Sequence, residues 1–227
     1  MRSRIRTFPF IALLALGLLA PASVSAQDRT ITVNGSATQA VPNNTAGLGF
    51  AVAKERSSRA AALRIVSVRL RQVIAAVQGI PGVGPGDITT GRISIRKVLR
   101  GQRTLYKASE GISVILHQPD RAGDMVSAAV AAGATGTGGP RFFPGDPELA
   151  YENTLLAAFD QAKAKASGLA ARAGATLGPA ISIEEGSEVV PAQPEAGQKG
   201  AAAEPAPPVK PGSSTVTATV RVVFGLQ

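Results

Sequence analysis

The chain has 227 residues, of which 44% are hydrophobic and 17% are charged, a composition typical of one compact domain or of two small lobes sharing a core. It contains no cysteine and a single histidine, which excludes a disulfide framework and the usual cysteine–histidine zinc site. Its formal net charge of +9 is unevenly distributed, since residues 54–107 carry twelve basic and two acidic side chains, a balance of +10.

The first 26 residues have the three parts of a secretory signal peptide. Three arginines within residues 1–7 precede an apolar stretch at about 8–20, and residues 24–26 form a typical cleavage site. The apolar stretch is shorter than the roughly 20 residues that a transmembrane helix needs. We therefore expect cleavage after Ala26, a mature chain of residues 27–227 without a transmembrane segment, and a periplasmic location, with outer-membrane association as a further expectation.

The mature chain begins with two segments of alternating polarity. Residues 30–41 and 45–53 alternate apolar and polar side chains, as strands do, and Pro42-Asn43-Asn44 between them has turn composition. This pattern predicts a β-hairpin. Apolar residues at steps of three and four then predict a helix from about Ser57 to Gln78.

Strands and helices continue to alternate after the first helix. Strands are predicted at 87–99, with a bulge near Gly91, and at 104–117, followed by a helix from Pro119 to about Ala132. A short strand or extended link at 134–143 leads to a third helix, which Asp146 caps and which ends near Gly174.

The last part of the chain changes composition twice. Residues 178–185 read as a strand, whereas residues 187–212 hold six prolines and predict a flexible Pro/Ala-rich loop. Residues 214–226 then alternate apolar and polar side chains, which predicts a strand with one face in the core. The predicted order is β-β-α-β-β-α-β-α-β-β, an α+β fold with mainly antiparallel sheets covered by three helices.

No group of residues assembles into a recognisable catalytic site. The glycine-rich segments at 82–87 and 133–139 follow helices and precede strands, the reverse of a phosphate-binding loop, and are interpreted as turns. His117 is interpreted as a polar residue at a strand end, and Glu184-Glu185 as a solvated strand end. We predict no enzymatic activity, no metal and no cofactor.

The basic segment leaves two interpretations open. Its first helix carries four arginines that could contact an anion or a second protomer: Arg59, Arg64, Arg69 and Arg71. A solvated helix face or a protomer contact is the first interpretation, and binding of anionic envelope polymers or lipid headgroups is the alternative. Nucleic acid is not expected as a partner, because aromatic residues make up only 4% of the chain and the protein is predicted to be exported.

Several segments, taken together and in order, resemble the SIMPL domain family of exported bacterial proteins, which includes periplasmic immunogenic antigens and a protein linked to oxidative-stress defence. They are "ITVNGSATQAVPNNTAGLGFAV", "VIAAVQGI" with "GDITTGRISI", "YKASEGISVIL", "VSAAVAAGATGTGGPRFF", "DPELAYENTLLAAFDQAKAKASGLAARAGATLG" and "VKPGSSTVTATVRVVFGL". The chain departs from the family pattern at Asn43 and Arg96, where the family often has an aspartate and an aromatic residue.

The resemblance covers nearly the whole mature chain, residues 27–227, and transfers no catalytic residue. It implies a non-enzymatic periplasmic or envelope protein that forms homo-oligomers, with a link to oxidative-stress defence. The alternative function remains a binding module for anionic envelope polymers or lipid headgroups, acting through the basic segment 54–107.

Overall fold

A computed structural model describes residues 29–186 and 209–227. The predicted signal peptide at 1–26, and residues 187–208 of the predicted Pro/Ala-rich loop, lie outside the described residues. The predicted α+β class and the order of elements are confirmed. The strands are β1 (Thr30–Pro42), β2 (Thr45–Arg56), β3 (Ile88–Thr90), β4 (Ser94–Arg100), β5 (Arg103–Leu116), β6 (Gly136–Phe143), β7 (Leu177–Glu185) and β8 (Ser213–Leu226). The helices are α1 (Arg59–Gln78), α2 (Ala122–Ala131) and α3 (Pro147–Arg172).

The helix boundaries follow local capping chemistry. The Ser58 hydroxyl accepts a hydrogen bond from the Ala61 N–H at the start of α1. At the start of α3 the predicted cap, Asp146, accepts from the Leu149 N–H at 2.9 Å. A 3-10 turn at Pro119–Arg121 leads into α2, so the predicted second helix has a tighter first turn. Each cap satisfies an amide that has no partner within the helix.

The smaller sheet contains three antiparallel strands in the order β1-β8-β7, and α3 packs on one of its faces. A residue every fourth position of α3 is buried, and all but one of these are alanines, so the helix lies close to the sheet. β8 is the central strand and buries alternate side chains against α3. Those side chains are Val216, Ala218, Val220, Val222 and Phe224.

The larger sheet has the order β3-β5-β2-β6, with β4 also pairing with β5, and α1 and α2 cover one of its faces. Alternate residues of β2 and β5 point into this core, including Phe50, Val52 and Val114. α1 adds Val66, Leu70, Val73 and Val77 from its buried stripe. The described residues therefore form two separate hydrophobic cores, one for each sheet.

The predicted hairpin of β1 and β2 is wrong. Each segment is a strand, but β1 pairs with β8 in the smaller sheet and β2 pairs with β5 and β6 in the larger one. The Asn43 side chain and backbone bond to Pro211 and Gly212, which precede β8, instead of closing a hairpin turn. Alternating polarity predicts a strand but carries no information on its partner.

The bulge predicted near Gly91 is present, and it divides the predicted strand into β3 and β4. Thr90 lies opposite Ile112 while Ser94 lies opposite Ser109, so four steps on one strand match three on the other. The bulge does not bury Ile93, which is 50% exposed.

Candidate functional site

β4 and the first part of β5 form a hairpin that extends beyond the rest of the larger sheet. The last paired residue of β2 is Arg56, opposite Tyr106, whereas β4 continues to pair with β5 as far as Arg100 opposite Arg103. Gly101 closes the turn with a φ of 60°, a left-handed conformation that suits glycine. We call residues 92–107 the basic hairpin, because they contain six basic and no acidic side chains.

Four of these basic side chains share one face of the basic hairpin. Residues directly opposite each other in an antiparallel pair point to the same side, and Arg96 pairs with Lys107 while Arg100 pairs with Arg103. Ala108 follows Lys107 in β5, so it points to the other side of the sheet, where it is buried under α1. The face that carries the four basic side chains is therefore the one turned away from the helices. The hairpin therefore presents a concentrated positive surface to solvent.

Glu55 of β2 provides a counter-charge at the base of this surface. Its Oε1 lies 3.0 Å from Nη2 of Arg100, and it lies opposite Lys107 in the sheet. The hydrogen bond from Arg100 lowers the pKa of Glu55, and the charges of Arg100, Lys107 and Arg96 act in the same direction. One carboxylate thus faces several cations, and the surface keeps a positive balance.

The other face of the basic hairpin carries exposed apolar side chains on either side of one cation, Lys97, which lies opposite Tyr106. Ile95 and Leu99 of β4 point to this side, opposite Ala108 and Thr104, and they are 37% and 68% exposed. Tyr106 is half-buried nearby, and the guanidinium of Arg59 lies 5.4 Å from the centre of its ring, a cation–π arrangement. The hairpin thus separates exposed apolar groups from most of its charges.

The structure disperses the four arginines that the sequence singled out on the first helix. Arg59 stacks on Tyr106 at the start of α1, whereas Arg69 bonds to Gln72 and has its side chain against Gly133, beyond α2. Arg64 and Arg71 are exposed and lie two turns apart, roughly 10 Å along the helix. The structure brings only Arg59 to the basic hairpin.

Sequence reasoning included these residues in the basic segment 54–107 but singled out only the arginines of the first helix as contacts, although the signal for the hairpin was present. Six basic residues without an acid between positions 92 and 107 are a denser positive run than the four arginines of α1. Their grouping on one face depends on the register of β4 against β5, which the sequence pattern did not specify.

His117 lies at the end of β5, as predicted, and contacts Asp87. Its Nε2 is 3.2 Å from Oδ1 of Asp87, whose Oδ2 accepts a hydrogen bond from the Gly84 N–H at 2.6 Å. The bond from Gly84, together with the bond and charge of His117, lowers the pKa of Asp87. These contacts fasten the turn between α1 and β3, the role expected for the segment at 82–87.

An open cleft of about 540 Å³ lies beside His117, where the two halves of the molecule meet. Asp120 and Arg121 line it together with Asn43 and Pro211. Asn43 is held by Pro211, Gly212 and Ser214, so it joins the chain segments between the sheets. The cleft marks the junction of the two halves.

The two other predicted polar groups occupy ordinary structural positions. Glu184 and Glu185 point to opposite faces of β7, where Glu184 approaches Arg221 at 3.9 Å and Glu185 accepts a hydrogen bond from the Tyr151 hydroxyl at 2.8 Å. The glycine-rich segment at 133–139 lies in the connection that follows α2 and continues into the start of β6.

Within residues 29–186 and 209–227, no three or more His, Asp or Glu side chains are grouped so that they could hold a metal ion. In the same part of the chain, no helix combines the length and the apolar character needed to cross a membrane.

Comparison with known proteins gives one family. The model of the SIMPL family, described as a protein of unknown function (DUF541), matches residues 31–224. The match spans both sheets and all three helices. No curated protein matches the chain.

Proposed function

Because the chain belongs to the SIMPL family, which is defined without a known activity, we propose that it is an exported, non-enzymatic envelope protein that binds anionic polymers or lipid headgroups through the basic hairpin. The observation that carries this proposal is the grouping of Arg96, Arg100, Arg103 and Lys107 on one exposed face, with Glu55 as the nearby acid. This replaces the arginines of α1 as the candidate contact.

The expected binding is electrostatic and of moderate strength. Each Lys or Arg near an anionic surface contributes about 1 kcal/mol, and the contribution falls off within a Debye length. That length shrinks from roughly 14 to 4 Å as salt rises from about 0.05 to 0.5 M. The affinity for a polyanion should therefore fall steeply over this range.

Isothermal titration calorimetry with long-chain polyphosphate tests the proposal. The double variant R96Q/R103Q should bind at least about tenfold more weakly than the parent protein, since it removes two charges from the basic face. The double variant R64Q/R71Q is the matched control, because it removes the same charge from the exposed side of α1. Equal losses of polyphosphate affinity in the two double variants would show that only the net charge of the protein matters, and would refute a binding site on the hairpin.

Export and a non-enzymatic role belong to the same proposal and rest on the sequence. The intact mass of protein extracted from the periplasm should correspond to a chain that starts at Gln27. A chain that retains residues 1–26 in that fraction would argue against export by cleavage. Any link to oxidative-stress defence would act without thiol chemistry, since the chain has no cysteine.

Self-assembly is a second candidate function, and the edge strand β7 supports it. The opposite edge, β1, is covered by α3, because Gln161 accepts from the Ser36 N–H at 2.9 Å and Lys165 donates to the Asn34 carbonyl at 3.0 Å. β7 instead exposes Ile181 and Ile183 by 60% and 58%. Exposed apolar side chains on an edge strand favour pairing with another chain.

Light scattering after size exclusion tests self-assembly. We expect the parent protein to be a homo-oligomer and I181K/I183K to be a monomer. In the variant, the charges of two lysine side chains would be buried against the partner strand. The control L149K/L156K alters two exposed leucines of α3 and should keep the oligomer. A monomer mass for the parent protein at micromolar concentration would refute this function and leave the proposal for the basic hairpin intact.

A further inference from the structure

The tip of the basic hairpin combines exposed apolar side chains with a high positive charge. Leu99, two residues before the turn at Gly101, is 68% exposed, the highest exposure recorded for a large apolar side chain in the described residues. Ile95 lies on the same face, about 13 Å away along the strand. A soluble polyanion gives such apolar groups no environment to enter, whereas a bilayer offers both anionic headgroups and hydrocarbon.

We propose that the basic hairpin is a membrane-docking element, whose tip inserts Leu99 into the interface of an anionic lipid bilayer while its arginines contact the headgroups. This inference rests on the proposed function, because it names the lipid surface as the anionic partner. It goes further in assigning a role to the apolar face, which charge attraction alone leaves unexplained.

The geometry of the hairpin suits insertion at its tip. Residues 99–104 project beyond the end of β2, so the tip can approach a flat surface before the rest of the larger sheet does. Interfacial elements bury their apolar groups roughly 5–10 Å deep, which is within the reach of a two-stranded tip. Arg100 and Arg103, which flank the turn, have long side chains that extend back to the headgroups from a shallow position.

The positive charge of the basic hairpin also makes it unfavourable for a second copy of the hairpin to cover its exposed apolar side chains. Two hairpins in contact would bring together six basic residues from each chain without an acid between positions 92 and 107. Like charges at close range oppose association, so the exposed leucine and isoleucine are unsuited to a symmetric contact of hairpin with hairpin.

Co-sedimentation with lipid vesicles tests the inference on the protein as purified from cells. Vesicles of equal parts phosphatidylglycerol and phosphatidylcholine should bind the protein, and vesicles of phosphatidylcholine alone should not. L99S should lower the partition coefficient on the anionic vesicles by about tenfold, since one large apolar group would no longer leave water. L156S changes a leucine of α3 that is 57% exposed and should leave the partition coefficient unchanged.

Fluorescence gives a second, direct readout of insertion, because the chain has no tryptophan. L99W would place the only indole at the tip, and its emission should shift to the blue on anionic vesicles and be quenched by brominated lipid. L156W would report from α3 and should show neither effect.

The outcomes separate this inference from the proposed function on which it rests. If L99S binds vesicles as tightly as the parent protein, or if L99W shows no blue shift, the contact is purely electrostatic and insertion is refuted. Binding of polyphosphate without binding of anionic vesicles would also overturn insertion, and would leave a soluble anionic polymer as the partner. Failure to bind either polyphosphate or vesicles would overturn the proposed function itself.

Discussion

Gly35 is a point of close approach between β1 and α3. A Cβ atom added there would lie 2.8 Å from Cβ of Ala162 and 2.9 Å from its backbone N, and closer still to the carbonyl oxygen of Ala158. Helix backbone cannot move aside as a flexible side chain can. Glycine at this position therefore determines how tightly α3 packs on the smaller sheet.

We expect Gly35→Ala to lower the free energy of unfolding by about 1–3 kcal/mol or more, because overpacking forces α3 away from the sheet. Chemical denaturation of the variant measures this loss. Gly138→Ala is the matched control in strand β6, where an added Cβ would have no atom within 4 Å. Similar losses in the two variants would mean that backbone freedom, and not the contact with α3, sets the cost.

Asp87 should make stability depend on pH in the acidic range. Its pKa is lowered in the folded protein by the Gly84 N–H and by His117, so the unfolded chain binds a proton more readily. The stabilisation is complete above the unfolded pKa, near 4, and is lost as pH falls through the lowered folded pKa. Asp87→Asn should reduce stability at pH 7 and should reduce it by a smaller amount at about pH 3.

Denaturation of Asp87→Asn and of the parent protein at both pH values checks this expectation. Asp120→Asn, which alters an exposed carboxylate in the nearby 3-10 turn, serves as the control. A constant difference between parent and Asp87→Asn at the two pH values would contradict an ionic contribution from Asp87.

At the scale of elements, β8 organises the smaller sheet because it is the central strand and has one face in the core. Val220 is buried and its neighbour Thr219 is exposed on the other face. Val220→Asp should destabilise the protein by several kcal/mol, since a carboxylate would enter an apolar core without a partner. Thr219→Asp should change stability by much less, and thermal melting of both variants measures the contrast.

Equal melting temperatures for these two variants would contradict the register of β8 against α3. A slip by one residue exchanges the two faces of a strand, so the comparison reports the register directly.

At the scale of the whole molecule, the two cores predict two regions of local stability. Phe50 belongs to the core of the larger sheet and Phe224 to that of the smaller one, and both are 2% exposed. Each Phe→Ala change should cost about 3–5 kcal/mol. Hydrogen exchange should show Phe50→Ala lowering protection mainly in β2, β5 and α1, and Phe224→Ala mainly in β1, β8 and α3.

Uniform loss of protection across both sheets in each variant would instead indicate that the halves unfold as one cooperative unit. The segments that join them, at Asn43 and at Pro211-Gly212, would then transmit the loss from one core to the other.

The sequence by itself determined the positions of the strands and helices, because these depend on local chemistry. A side-chain oxygen at Asp146 caps α3, the stripe of apolar residues selects the buried side of α1, and alternation marks β8. The excess of positive charge between residues 54 and 107 was equally plain from the sequence.

Only the tertiary structure decided which strands pair and which charges lie together. Ile31 lies opposite Phe224, and pairing over such a distance along the chain depends on how both cores pack, so the adjacent segments β1 and β2 joined different sheets. The register of β4 against β5 gathered Arg96 and Lys107 on one face, while helix geometry dispersed the arginines of α1. Local polarity patterns report which side chains are buried, whereas partners and surfaces follow from long-range packing.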